Sequence, residues 1–107
     1  MAMVKQFDVY MINLDEPVSK DAKNTRPAVV ISPDELNRNL SSVIVAPISS
    51  TKAIYPTRIE VGFLNSQRYV ILDQIQTVDA SRLVKKIGEL EKPARESVTS
   101  LLLEMFS

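Results

Sequence analysis

Residues 42–49 read SVIVAPIS, an apolar run rich in β-branched side chains with a proline near its end. The β-branched residues favour a strand. Pro47 has no N–H to give a neighbour, so it predicts a bend, a bulge or a sheet edge late in that strand. Upstream, Pro27–Ser32 is almost continuously apolar, as a strand buried on both faces would be. The intervening PDELNRN reads as a turn or a single helical turn. Further upstream, Phe7–Leu14 (FDVYMINL) mixes alternation with β-branched and aromatic residues and predicts the first strand. The polar DEPVSKDAKNT that follows reads as a long loop, a common place for function.

Downstream, Arg58–Val61 and Tyr69–Leu72 predict short strands around a GFLNSQ turn. Gln74–Val78 reads as their continuation or as a new strand after a kink at Asp73. Residues 80–83 suggest one helical turn, and Val84–Ile87 a last strand. From Pro93 the pattern changes: Ala94, Val98, Leu101, Leu102 and Met105 recur at helical spacing, and proline suits the first position of a helix. Leu103 and Phe106 lie partly off that stripe, which would allow a second apolar contact. The expected fold is mainly β with a C-terminal helix: a small, strongly bent sheet or partly open barrel closed by the helix.

A chain of 107 residues predicts one domain, 1–107. Thirteen basic and thirteen acidic residues cancel, so any nucleic-acid contact needs a local basic patch rather than a global field. With no cysteine there is no disulfide or thiolate chemistry, which is compatible with a reducing cytoplasm. With no histidine the chain lacks the usual zinc ligand and the usual proton carrier. Gly62 and Gly88 are the only glycines, which excludes a glycine-rich phosphate loop. No metal cluster is evident and no cofactor is expected. The opening MAMVKQFDVYMI is too short an apolar run for a signal peptide or a membrane span, so the cytoplasm is the expected location.

Arg26 stands just before Pro27, which biases it toward extended backbone and gives it a defined direction at the mouth of a strand. A guanidinium mounted there can present its fork to phosphate or carboxylate; equally, it can pair with a structural acid such as Asp73. Ser49, Ser50 and Thr51 put three hydroxyls at a strand end, where they can bind a substrate or simply cap a turn. Lys52, Tyr55 and Arg58 add charge and a stacking face of the kind single-stranded nucleic acid uses. If their loops converge, Lys20, Lys23, Arg26, Lys52, Arg58 and Arg68 form the required patch; otherwise they are a solvated surface. Asp73 interrupts YVILDQIQTV, so it should face a cleft or meet a cation. Asp8 poses the same alternatives.

Taken in order, RPAVVISPDELN (26–37), VIVAPISS (43–50), YPTRIEV (55–61), ILDQIQTVDASRLVKKIGEL (71–90) and the terminal helix resemble the MazF/PemK family of toxin–antitoxin ribonucleases. The resemblance implies a CcdB/PemK-type, SH3-like barrel and a homodimer. It implies metal-independent, sequence-specific cleavage of single-stranded RNA to 2′,3′-cyclic phosphate and 5′-OH ends, inhibited by a cognate antitoxin. Arg26 matches the arginine of the family's RPxVV motif, a catalytic position. Ser49 matches the catalytic Thr or Ser ending its P-[IV]-[TS]-S strand, and Asp73 its acidic position, a base in some members. Lys20, Lys23, Ser50, Thr51, Lys52, Tyr55 and Arg58 are the RNA-binding candidates around them. The chain departs from the family where Phe7-Asp8 replaces the usual Gly-Asp or Gly-Glu, and where the first loop, EPVSKDAKNTRP, has no glycine. Ile71 stands where some members have an arginine, which leaves an arginine-plus-hydroxyl site. The rival readings are a CcdB-like gyrase poison acting through the C-terminal helix, and a non-catalytic RNA- or peptide-binding module of the same fold.

Overall fold

The computed structural model describes residues 3–14, 24–39, 41–50, 58–63 and 66–107. They form β1 (Asp8–Asn13), β2 (Thr25–Val30), α1 (Asp34–Asn39), β3 (Ser42–Ser49), β4 (Arg58–Phe63), β5 (Ser66–Ile71), β6 (Gln76–Asp79), β7 (Leu83–Glu89) and α2 (Lys92–Phe106). Short 3-10 turns lie at Leu72–Gln74 and Ala80–Arg82. The seven strands make one antiparallel sheet, ordered β4-β5-β3-β2-β1-β7, with β6 also paired to β3. The path is open rather than closed, and the expected bent sheet with a terminal helix is borne out.

β3 is the hub, and its proline explains the bend. One edge pairs with β2 from Val45 to Pro47. The other pairs with β6 from Ser42 to Val45, then with β5 at Ile48 and Ser49. The change of partner falls at Ala46–Pro47, where a residue without an N–H cannot carry a ladder onward. The 3-10 turn at Leu72–Gln74 lets β5 and β6 share that edge, so the kink read at Asp73 is a break between two strands.

Side-chain alternation then divides the core in two. Val29, Ile31, Ala46 and Ile48 point to one side, joining Val9, Val70, Leu72 and Val98. Ala28, Val30, Val43 and Val45 point to the other, joining Ile12 and Val78. This two-sided burial is why Pro27–Ser32 reads as a continuous apolar run. On α2, Pro93 occupies the first turn and Val98 is fully buried, with Ala94, Leu101, Leu102 and Met105 packed around it. Leu103 and Phe106 are exposed, in keeping with their place off the stripe.

At the start of β1, Phe7 has φ 73°, a left-handed conformation that costs a side chain with a Cβ about 1–3 kcal/mol. Two backbone bonds hold it: its N–H donates to the Val30 carbonyl (2.6 Å), and its carbonyl accepts from Leu90 (3.0 Å). The ring packs against the larger core half. Phe7 thus occupies a glycine-like conformation at the position where the resembling family carries glycine.

Candidate active site

The geometry of the site starts from two prolines. The β2–β3 ladder runs Val30↔Val45, Val29↔Ala46, Ala28↔Pro47 and stops there. On β2 the next residue, Pro27, lacks the N–H that would extend it, so the strands part there. Two residues beyond the last pair stand Arg26 on β2 and Ser49 on β3. Together with Pro27, Pro47, Ser50 and Arg68 they line a cleft of about 550 Å³. Arg26 is exposed and Ser49 half-buried.

Arg26 lies inside β2 rather than before it. β2 begins at Thr25, which pairs with Asn13, and Arg26 itself pairs with Ile12. The Leu14 N–H donates to the Asn24 carbonyl at 2.8 Å, and Arg82 donates to the Asn13 carbonyl at 3.0 Å. The mount under Arg26 is therefore a hydrogen-bonded ladder on its β1 side. A smaller hollow of about 200 Å³ adjoins the cleft and shares Arg26, Pro27 and Pro47 with it. Its apolar part comes from Ile12, Ala28 and Val45, and Gln74 and Gln76 contribute two carboxamides.

Asp73 sits on the 3-10 turn, not in mid-strand, with its side chain 39% exposed. The Arg58 guanidinium approaches it at 3.7 Å from β4, so the sequence-predicted acid meets a cation, and that cation is Arg58. Gln74, its neighbour on the same turn, lines the hollow beside Arg26.

Asp8 is placed elsewhere. It is buried on β1 next to β7, accepting from the Lys5 N–H at 2.9 Å and from Lys86 Nζ at 3.2 Å. That bond and the Asp8 charge raise the Lys86 pKa above its ordinary value. Burial, then the Asp8 charge, raise that of Tyr10. On a third edge, Asp79 accepts from the Ser81 N–H at 2.9 Å, which lowers its pKa.

Of the sequence-predicted residues, the structure brings Arg26, Ser49 and Ser50 into one cleft and pairs Asp73 with Arg58. Lys20, Lys23, Thr51, Lys52 and Tyr55 lie outside the described residues. Arg68, counted only as a loop cation from the sequence, lines the cleft itself, and Gln74 and Gln76 were not singled out at all. Among the described residues, no three His, Cys, Asp or Glu side chains gather as metal ligands, and no helix is long and apolar enough to cross a membrane.

Comparison with known proteins gives three kinds of match. Residues 5–106 match the family model described as PemK-like, MazF-like toxin of type II toxin–antitoxin system. Endoribonuclease EndoA of Bacillus subtilis (strain 168) is 34% identical over 109 residues, covering 94% of this chain and 91% of that protein. Among solved structures, an endoribonuclease in complex with its cognate antitoxin from a mycobacterial species superposes with TM-score 0.80 at 20% identity, covering 94% and 92% of the two chains. MazE–MazF from Deinococcus radiodurans gives TM-score 0.80 at 19% identity, over 100% and 98%. At these identities the two structures establish the shared fold.

Proposed function

The chain belongs to the PemK-like, MazF-like toxins of type II toxin–antitoxin systems and is a toxin endoribonuclease; we propose that it cuts single-stranded RNA without a metal, leaving a 2′,3′-cyclic phosphate and a 5′-OH. The observation that carries this reading is the cleft lined by both Arg26 and Ser49 where the β2–β3 ladder ends.

In this mechanism the ribose 2′-oxygen attacks the adjacent phosphorus in line with the 5′-oxygen. The 2′-O–P bond forms, the P–O5′ bond breaks, and the phosphorane between them carries extra negative charge. Arg26 donates to its non-bridging oxygens and Ser49 Oγ hydrogen-bonds the same group. Preorganised donors of this kind lower the barrier because they need not reorient as charge develops. The 2′-OH proton goes to Asp73, and the leaving 5′-oxygen takes one from water. Gln74 supports the role for Asp73, since the same turn borders the hollow that shares Arg26. Arg58 holds the carboxylate in place. Sequence preference arises in the hollow, whose apolar walls suit a base face and whose two carboxamides suit its hydrogen-bonding edge.

The active species is a homodimer located in the cytoplasm, and the regulating partner is a cognate antitoxin that covers the cleft. Sequencing the ends left on a long, protein-free RNA digested in EDTA tests the proposal. Cyclic-phosphate and 5′-OH ends at a recurring sequence are expected. Intact RNA would favour a gyrase poison or a non-catalytic binding module, and cleavage that EDTA abolishes would remove the metal-free mechanism.

A further inference from the structure

We propose that Arg68 is a substrate-binding residue that anchors the RNA backbone at the phosphate next to the scissile one, across the cleft from Arg26. This rests on the endoribonuclease reading above and adds a residue to it.

Three observations meet at Arg68. The first is topological: β2 and β5 flank β3 on opposite edges, and each sends one arginine into the same cleft. Arg68 follows directly from the Ser49↔Tyr69 pair, so it stands level with the end of β3, where Ser50 turns outward. The second is charge. The whole chain balances thirteen cations against thirteen acids, yet the described residues lining this cleft include two arginines and no acid. Two guanidinium forks and the Ser49 and Ser50 hydroxyls give this one cleft the donors that neighbouring phosphates take. The third is placement. Arg68 is half-buried on a strand paired along its length with β4, so its stem is held before any substrate arrives. A prepositioned fork loses little freedom on meeting phosphate.

The division of labour follows from geometry. Arg26 and Ser49 line the cleft just past the point where the ladder stops, which suits the reacting phosphate. Arg68 enters from the far wall beside Ser50 and meets the next phosphate along the strand. A contact to that group is made equally in the ground state and the transition state, so it lowers KM and leaves kcat nearly alone.

The experiment compares the parent with Arg68→Ala and Arg68→Lys in steady-state cleavage of a short RNA containing the mapped site. It also follows binding to the same RNA carrying one 2′-deoxynucleotide at the cleavage position, over a salt series. For Arg68→Ala, KM should rise about tenfold, the scale of one charged hydrogen bond, with kcat within about threefold. The slope of log affinity against log salt should fall by about 0.7, the value for one single-strand phosphate contact. Arg68→Lys should keep the parental slope, and melting curves check that both variants fold. Loss of kcat at unchanged KM would make Arg68 a transition-state donor and overturn the proposal. So would unchanged kinetics and slope, or an Arg68→Lys variant that loses the slope as Arg68→Ala does. A parent protein that neither binds nor cuts RNA would instead remove the endoribonuclease mechanism itself.

Discussion

Charge is handled in opposite ways at the two ends of the sheet. At the start of β1, Asp8 is 1% exposed and bonded to the Lys5 N–H and to Lys86, so its charge is satisfied within the protein. Where β2 and β3 part, Arg26 and Arg68 line a cleft whose described walls carry hydroxyls and no acid. Strain is distributed unexpectedly too: the left-handed residue, Phe7, adjoins Asp8 rather than the cleft. A buried charge with an internal partner holds structure together, whereas guanidiniums lining an open cleft stand where a molecule from outside can meet them. Here the unusual backbone belongs to the first case, at the end of the sheet away from the cleft.

The comparison breaks most visibly at Arg26. Arg26→Ala should cut the cleavage rate by about 10²–10³, the typical loss when one preorganised donor to a developing charge is removed. Its melting temperature should stay near that of the parent, because Arg26 is exposed. A folded variant that cleaves RNA at the parental rate would remove the cleft from the chemistry. Ser49→Ala should lose less, about 10- to 100-fold, since one hydrogen bond to a charged group is worth roughly 1.5–3 kcal/mol. If Ser49→Ala lowers stability and not rate, its hydroxyl serves the strand end alone.

Asp8 should behave in the reverse manner. Asp8→Ala removes a buried carboxylate that accepts from the Lys5 N–H and from Lys86, and is expected to lower stability by about 1.5–3 kcal/mol, the worth of a hydrogen bond to a charged group. Denaturant titration measures that directly. Cleavage by the remaining folded protein should be unchanged, and a large drop in its rate would place Asp8 in the reaction after all.

These contrasts also show what the sequence could reveal. The strands were legible because neighbouring residues alternate between two core halves: Ala28 and Val30 on one side, Val29 and Ile31 on the other. Pro47 announced the bend, and Asp73 the break between β5 and β6. Arg26 stood out because proline and a buried strand follow it. Its place inside β2 was hidden, since Thr25 pairs with Asn13, a residue distant from it in the sequence. Arg68 was less legible still. Its approach to the cleft requires β3 to exchange β6 for β5 at Pro47, and nothing local to residue 68 encodes that exchange. Asp8 was ambiguous for the same reason: alternation along β1 does not identify Lys86 on β7 as its partner.

Gln76 sharpens the comparison on the cleft side. If the hollow beside Arg26 receives a base, Gln76→Ala removes one carboxamide from its edge while leaving Arg26 and Ser49 in place. Discrimination at one position of the cleavage sequence should weaken by about 1 kcal/mol, the low end for a hydrogen-bonded base contact. Cleavage-site profiling on a randomised RNA library would show the change. An unaltered profile would assign the sequence preference to other residues.

The smallest expected effect lies at the opposite end and appears only with pH. Asp8 raises the Lys86 pKa, so the folded state holds that proton more tightly than the unfolded chain does. Such a contribution is complete below the ordinary lysine value of 10.5 and is lost as pH rises through the folded value. Tyr10 acts in the same direction, because its raised pKa means the folded protein resists losing that proton as well. The melting temperature should therefore decline in the alkaline range above about 10. Lys86→Met removes one of the two causes: the parent should be the more stable at neutral pH, and the difference should shrink toward zero as pH climbs past 10.5. Tyr10→Phe should remove the other cause. A Lys86→Met difference that stays constant from neutral pH to pH 12 would mean that packing, not the Asp8 bond, is what Lys86 supplies. RNA cleavage near neutral pH should be indifferent to Lys86→Met, since this charge pair is satisfied inside the fold.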